Sequence, residues 1–400
     1  MATLEGNIPK LFLLKISRWL MLFMPTIFLF FTENGLSMTQ IMVLQSAFGI
    51  AVAVLEVPSG YFSDVLGRKR TLILSGVFGV LGMASFAFGT GFWWFLLGEI
   101  LLGISTSLNS GTDSALLYDS LQALDREDDY LKLEGKVGAS GNFAEGIAAI
   151  IGGTLAHQFG LHSPYYGQIL IALVGLYLAF TIVEPPVFFD KAKGNKSEVW
   201  GVIRWTFKEQ KLLRWYIIAS SFIGLTTLTC AWFAQPYFDF VEMPLWWYGG
   251  IWALLQFTVG VFSWNVKPIV DRLSRKTLSW TLVVTLTLSI FLLTQFQQLW
   301  AIVFIFIIYM VRGVAEPFFK TIINQLADPK FRATILSLRS LVIRFLFSTL
   351  GPILGWIMDV YTVQEAFLVS ASILLIGGGL ALLQLAKVTD KDVKLEEKPI

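Results

Sequence analysis

Twelve times along 400 residues the chain returns to a long, mostly apolar run, and this recurrence limits what it can fold into. A helix rising 1.5 Å per residue needs about 20 apolar residues to cross a hydrocarbon core of about 30 Å. Spans are predicted at roughly 10–31, 40–62, 71–90, 93–120, 137–157, 166–184, 212–238, 246–266, 277–296, 299–319, 333–358 and 363–386. Hydrophobic residues make up 55% of the chain and charged residues 14%, against about a quarter charged in an ordinary soluble domain. An all-α integral membrane protein follows.

The net charge of +2 is too small to imply a nucleic-acid partner, and the single cysteine, Cys230, excludes a disulfide framework. Lys10, Lys15 and Arg18 surround apolar residues near the start, but no small-residue cleavage site precedes the next loop, so the first run is expected to be a retained span.

Lysine and arginine set the orientation, because they accumulate in cytoplasmic loops. With the N-terminus inside, the outer loops "TENGLSMT", "GTGFW", "HQFGLHSPYYG", "DFVEMPLW", "QFQQLW" and "DVYTVQ" contain none of the 30. Both termini are therefore expected on the cytoplasmic side. Trp93, Trp94, Trp246, Trp247 and Trp300 fall at outer span ends, where amphipathic rings favour the headgroup layer.

The longest polar stretch divides the chain almost in half. The expected organisation is a six-helix bundle over 1–184, a cytoplasmic linker over 185–211, a second six-helix bundle over 212–386 and a tail over 387–400. Val199, Ile203 and Phe207 recur at helical spacing in the linker beside Arg204, Lys208 and Lys211, which suits either a helix on the inner leaflet or a partly ordered connection. "DVLGRK" at 64–69 recurs as "DRLSRK" at 271–276, including Asp271, Arg275 and Lys276, each between the second and third spans of its half. Such parallel repeats imply two bundles related by an axis along the membrane normal.

"GYFSDVLGRKR" carries Gly60, Asp64, Gly67, Arg68, Lys69 and Arg70. Glu56, Gly60 and Asp64 are four apart and share one helix face, Gly60 permits close helix approach, and Gly67 permits a tight turn. Asp64 lies at the carbonyl end of its helix, where an acid needs a partner. The stretch matches GxxxDxxGR followed by a base, and together with the span count and the repeat it makes the whole chain resemble the major facilitator superfamily, in particular bacterial proton-coupled drug and metabolite transporters. The resemblance implies alternating access, with this loop acting as a clasp that reaches an acid at the inner end of span 4, the position of Asp119.

Several ionisable residues fall inside predicted spans: Arg18, Glu56, Asp113, Glu145, Arg312, Glu316, Arg339 and Arg344. Each costs about 3 kcal/mol on insertion scales, so such groups pair or line water. Glu56, Asp113 and Glu145 are the candidate proton carriers. Acids concentrate in the first half and arginines in the second, which suggests ion pairs between halves. Arg312 and Glu316 are spaced to meet on one face, whereas Arg339 and Arg344, five apart, point in different directions. Glu145 sits among Gly138, Gly141, Gly146, Gly152 and Gly153, a stretch similar to the glycine-rich span of proton-coupled antiporters in the superfamily but without that motif's proline.

Asn109 accompanies Asp113, and Trp232, Gln235, Trp252 and Gln256 offer aromatic and amide groups to an amphiphilic ligand or simply to packing. His157 and His162 lack companion ligands for a metal. No phosphate-cradling GxxxxGK[ST] loop is present, and no cofactor or enzyme signature. The expected function is secondary transport of a small organic molecule, by proton-coupled efflux of an amphiphilic compound. The alternatives are movement of an anionic metabolite by the arginines, and a lipid translocator or non-transporting receptor with this fold. The expected setting is a cell inner membrane, with the chain acting as a monomer whose partners are substrate, protons and lipids.

Overall fold

The computed structural model describes residues 4–185, 201, 204–328 and 331–392, with the side chains of a few helical residues, Asp64 and Gly60 among them, left undescribed. The expected linker helix falls largely outside these residues, including Val199 and Ile203. Every regular element among the described residues is helical, as the apolar periodicity predicts. Eleven helical segments are long and apolar enough to cross a membrane. The fifth expected span is Tyr130–Phe159, a 30-residue helix whose glycines and polar residues keep it outside that group.

Two compact units emerge. The first comprises Met1–Lys191 with Pro244–Leu254, and the second comprises Ala192–Met243 with Leu255–Ile400.

In the first unit the helices are α1 (Asn7–Trp19), α2 (Ile27–Glu33), α3 (Met38–Leu66), α4 (Arg68–Phe88), α5 (Gly91–Asn109), α6 (Thr112–Gln122), α7 (Tyr130–Phe159) and α8 (Ser163–Thr181). A capping box starts α3: the Ser37 hydroxyl accepts from Gln40 N–H, and the Gln40 side chain accepts from Ser37 N–H. α5 packs along α3 and α4, while α8 packs along α4 and α1. Small residues permit these approaches: a Cβ on Gly103 would lie 2.7 Å from the Ala51 Cβ. One end of the unit is filled by rings of Phe30, Phe31, Phe86, Phe95 and Tyr165, with Phe30 and Tyr165 centroids 4.0 Å apart.

In the second unit the helices are α9 (Lys211–Phe240), α10 (Leu245–Trp264), α11 (Val266–Arg272), α12 (Arg275–Gln295), α13 (Ile302–Leu326), α14 (Arg332–Val360), α15 (Val363–Ile373) and α16 (Gly379–Asp392). α9 is the most buried, packing on α13, α14 and α16. α10 crosses between units: its first residues, up to Leu254, cluster with the first unit. There a Cβ on Gly249 would meet the Ala149 carbonyl oxygen at 2.5 Å, and Trp252 and Ala253 pack on Ala149 of α7 and on Met24.

Candidate functional site

Spans 1 and 4, each predicted as one helix, are both discontinuous. Span 1 leaves α-geometry after Trp19 and resumes at Ile27, with a 3₁₀ turn at Met24–Thr26 that includes Pro25. Proline lacks a backbone donor and crowds the preceding turn, so the ladder breaks there. The exposed backbone groups are met from within the unit: Leu22 N–H donates to Gln168 Oε1 of α8 at 2.9 Å. Span 4 breaks at Ser110 (φ −56°, ψ 117°) and Gly111 (φ 75°, ψ −21°), the geometry of a type II turn that glycine admits at its third position. Broken helices at membrane depth are tolerated where other protein groups satisfy the backbone, and they concentrate at transporter binding sites.

Asp113 occupies the first turn of α6, immediately after that break. The unpaired N–H groups and the positive end of the half-helix favour a carboxylate there. Its Oδ2 is 3.3 Å from Lys15 Nζ of α1 and 3.4 Å from Asn109 Nδ2 of α5, and its Oδ1 accepts from Ser114 N–H at 2.9 Å. The Lys15 contact is longer than the 2.7–2.9 Å of a strong charge-assisted hydrogen bond, so this is a loose pair.

Arg18, one helical turn from Lys15, also acts electrostatically on Asp113 and donates through Nη2 to Ser75 Oγ at 2.5 Å. Ser75 and Ser105 bridge α4 and α5 reciprocally, each hydroxyl donating to the other's carbonyl at 2.6 and 2.7 Å. Ser114 Oγ donates to Glu134 Oε1 of α7 at 2.6 Å. The cluster thus joins α1, α4, α5, α6 and α7 around one carboxylate. Lys15, which pairs with this carboxylate, lies in the same unit.

The signature loop is built differently from its sequence reading in one respect. Arg68 donates through Nε to Asp119 Oδ2 at 3.2 Å and through Nη1 to Ser63 Oγ at 2.9 Å. Glu184, which the motif does not name, accepts from Arg68 N–H at 2.6 Å and Lys69 N–H at 2.8 Å, capping the start of α4. Gly67 has φ 93°, and a Cβ there would lie 3.0 Å from the Glu184 carboxylate, so glycine is needed twice over. The only signal for Glu184 in the sequence is an acid just before the Pro185–Pro186 pair. Glu184→Ala is expected to cost about 1 kcal/mol, the usual value of a helix cap, read as a lower thermal midpoint of the purified protein. An unchanged midpoint would remove the capping role. Lys69 and Arg70 lie in the first turn of α4, with Arg70 exposed.

In the second unit, Glu316 is bound by Arg339 and not by Arg312. Arg339 Nη1 and Nη2 reach Glu316 Oε1 and Oε2 at 3.0 and 2.8 Å, and its Nε donates to Ser220 Oγ at 3.1 Å. A planar guanidinium satisfies both carboxylate oxygens at once, which a flexible i,i+4 contact does not match. Arg312 instead lies over the Tyr309 ring, 5.8 Å from its centroid.

Arg339 is buried while Glu316 remains exposed, with side-chain exposures of 8% and 61%. Removing the acid leaves a buried cation, whereas removing the arginine leaves an acid that the protein itself does not enclose. Glu316→Ala is therefore expected to cost about 3 kcal/mol and Arg339→Met clearly less, in thermal unfolding of both variants. Equal losses would contradict this asymmetry.

The remaining candidates lie on several helices. Glu56 is exposed on α3, and Glu145 is buried in α7. Trp232 is half-buried and Gln235 buried on α9; Gln256 is half-buried on α10, as is Arg344 on α14. Trp252 is buried with its indole N–H unpartnered among the described residues. In the repeated loop Arg275 donates to Gln325 Oε1 at 2.9 Å, while Asp271 and Lys276 are exposed. Lys15, Ser75, Ser114 and Glu134 were not singled out by sequence. Lys15 was visible as a basic residue in span 1, but its partner depends on helix rotation.

Comparison with known proteins agrees with this construction. Residues 11–352 match the profile of the Major Facilitator Superfamily. The inner membrane transport protein YajR of Escherichia coli is 27% identical over 150 residues, 38% of this chain and 32% of that protein. An uncharacterized transporter of Buchnera aphidicola is 25% identical over 127 residues, 32% of this chain and 31% of the other. The matched regions thus span about a third of these relatives. Among solved structures, the nucleoside transporter NupG superposes with TM-score 0.80 at 16% identity, covering 95% of this chain and 99% of the other. A D-xylose-proton symporter gives 0.72 at 17% identity, covering 95% and 96%. With its signature loop, its helical spans and the profile match over most of its length, the chain belongs to the Major Facilitator Superfamily and is a multi-pass membrane protein.

Proposed function

We propose that the protein couples proton movement to the efflux of an amphiphilic organic compound, with Asp113 as the exchange site. The observation that carries this reading is the loose Lys15–Asp113 pair, 3.3 Å long, at the break in span 4. A carboxylate so placed is able to hold Lys15, a proton or a cationic group of the substrate, but only one of them strongly. Binding of a proton releases Lys15, and its departure readmits the lysine or the substrate. That mutual exclusion is what antiport requires, and it lets a pH gradient bias the access states. The unpartnered indole N–H of Trp252 and its apolar surroundings suit an aromatic or amphiphilic body.

The charge asymmetry of the loops supports a topology with both termini on the cytoplasmic side of an inner membrane, and in this reading the protein acts as a single chain. The test is proton flux in proteoliposomes under an imposed pH gradient, with lipophilic cations added first and organic anions second. Flux triggered by cations is expected. Flux with anions alone moves the site to the second unit.

A specific arrangement favours that second reading, transport of an anionic metabolite. Glu316 is acted on by Arg339, Lys320 and Arg312 together, so three cations surround one exposed acid. The excess positive charge would receive a substrate carboxylate or phosphate.

A further inference from the structure

Glu99 belongs to no motif and plays no part in the cluster around Asp113. It lies on α5 with 5% of its surface exposed, and Gln45 Nε2 of α3 donates to its Oε1 at 2.6 Å. Among the described residues no lysine or arginine forms an ion pair with it.

The charged groups of the packed helices lie elsewhere. On α3, Glu56 follows Gln45 by 11 residues, roughly 16 Å along the axis, and Asp64 lies further still. On α4 the bases Arg68, Lys69 and Arg70 occupy the start of the helix, while α5 begins just after its other end. Asp113, Tyr118 and Asp119 belong to α6, past the break. The titratable neighbour is Tyr165 of α8, within electrostatic reach, 1% exposed, its hydroxyl unpartnered among the described residues. His162 is further out, edge-on to Phe30 at 4.9 Å.

A buried carboxylate that is permanently ionised normally collects a cation or several donors. Glu99 has one neutral amide. Glutamine serves both protonation states, since its NH₂ donates to a carboxylate and its carbonyl accepts from the acid's O–H. The pair therefore accommodates gain and loss of a proton by a turn of one amide, without a new ion pair.

We propose that Glu99 is a second proton-binding carboxyl of the transport cycle, separate from Asp113, with Gln45 as its positioning amide. Its ligand is the proton alone. Its role in the cycle rests on the proton-coupled reading of Asp113. The two acids lie on opposite sides of the break in span 4, 14 residues apart in sequence, so the cycle would carry more than one proton.

The test uses the purified full-length chain. Infrared difference spectra between acid and alkaline pH report the carbonyl stretch of a protonated carboxyl. Loss of one component in Glu99→Gln, with the component removed by Asp113→Asn still present, is the expected result. A spectrum unchanged by Glu99→Gln overturns the proposal. Should that variant fail to fold, Gln45→Leu retains the acid and is expected to move the pH midpoint of the same component; an unmoved midpoint overturns the pairing. In proteoliposomes Glu99→Gln is expected to lower the number of protons moved per substrate. An unchanged proton count defeats this inference while leaving the Asp113 reading in place, whereas a wild type that moves substrate without protons defeats both.

Discussion

Gly152→Ala is expected to destabilise the protein by about 3 kcal/mol or more, out of the 5–15 kcal/mol that separates folded from unfolded states in typical domains. A Cβ at this position would lie 1.8 Å from the Leu22 carbonyl oxygen and 2.6 Å from its carbon. These are backbone atoms, so no rotamer change relieves the clash. α7 or the broken part of span 1 must move by more than an ångström, and overpacking of that kind costs about 1–3 kcal/mol. The same displacement pulls Leu22 N–H from Gln168 Oε1, leaving a buried donor unmet for a further 1–3 kcal/mol or so. Gly260→Ala is the control, because no atom lies within 4 Å of its Cβ position. It should be neutral or slightly stabilising, since alanine favours a helix interior. Thermal unfolding of both variants decides the matter: similar midpoints would mean that the contact at Leu22 does not hold the break in place.

Much of the fold was legible because hydropathy and loop charge report depth and span count directly. The break in span 1 was legible in part, since Pro25 marks it, but "LNSGTDSALL" gave no comparable signal for span 4. Gly111 stood out only as one of many glycines, and a type II turn is recognised by its dihedrals. Charge pairing was least legible. Hydropathy leaves helix rotation undetermined, so Arg312 and Glu316 looked like partners by spacing, while the bidentate geometry of Arg339 came from another helix. Lys15 was similarly hidden: its connection to Asp113 spans 98 residues. Glu99 was missed because one acid in "FLLGEILLG" resembles any polar interruption, and its meaning lies in Gln45, 54 residues earlier. Glu184, the last residue of span 6, carried no signal of its role because capping is a backbone contact without residue code on the recipient side.

Asp113→Asn and Lys15→Gln are expected to move the binding of a lipophilic cation in opposite directions. The asparagine cannot hold a charge or exchange a proton, so it should abolish accumulation driven by a pH gradient and weaken cation binding about tenfold or more, given that a hydrogen bond to a charged group contributes about 1.5–3 kcal/mol. Lys15→Gln removes the competitor for Asp113 Oδ2 but leaves Ser114 N–H, Asn109 and the field of Arg18 to hold the carboxylate. Cation binding should therefore tighten, while release of the cation on protonation becomes less complete. Binding is measured by titration calorimetry on purified protein, and coupling by flux in proteoliposomes. If the substrate is an organic anion held by the cations around Glu316, its binding should change little in either variant. If neither substitution alters binding or pH-driven flux, Asp113 is a permanent structural partner of Lys15, and the exchange reaction lies at another carboxyl.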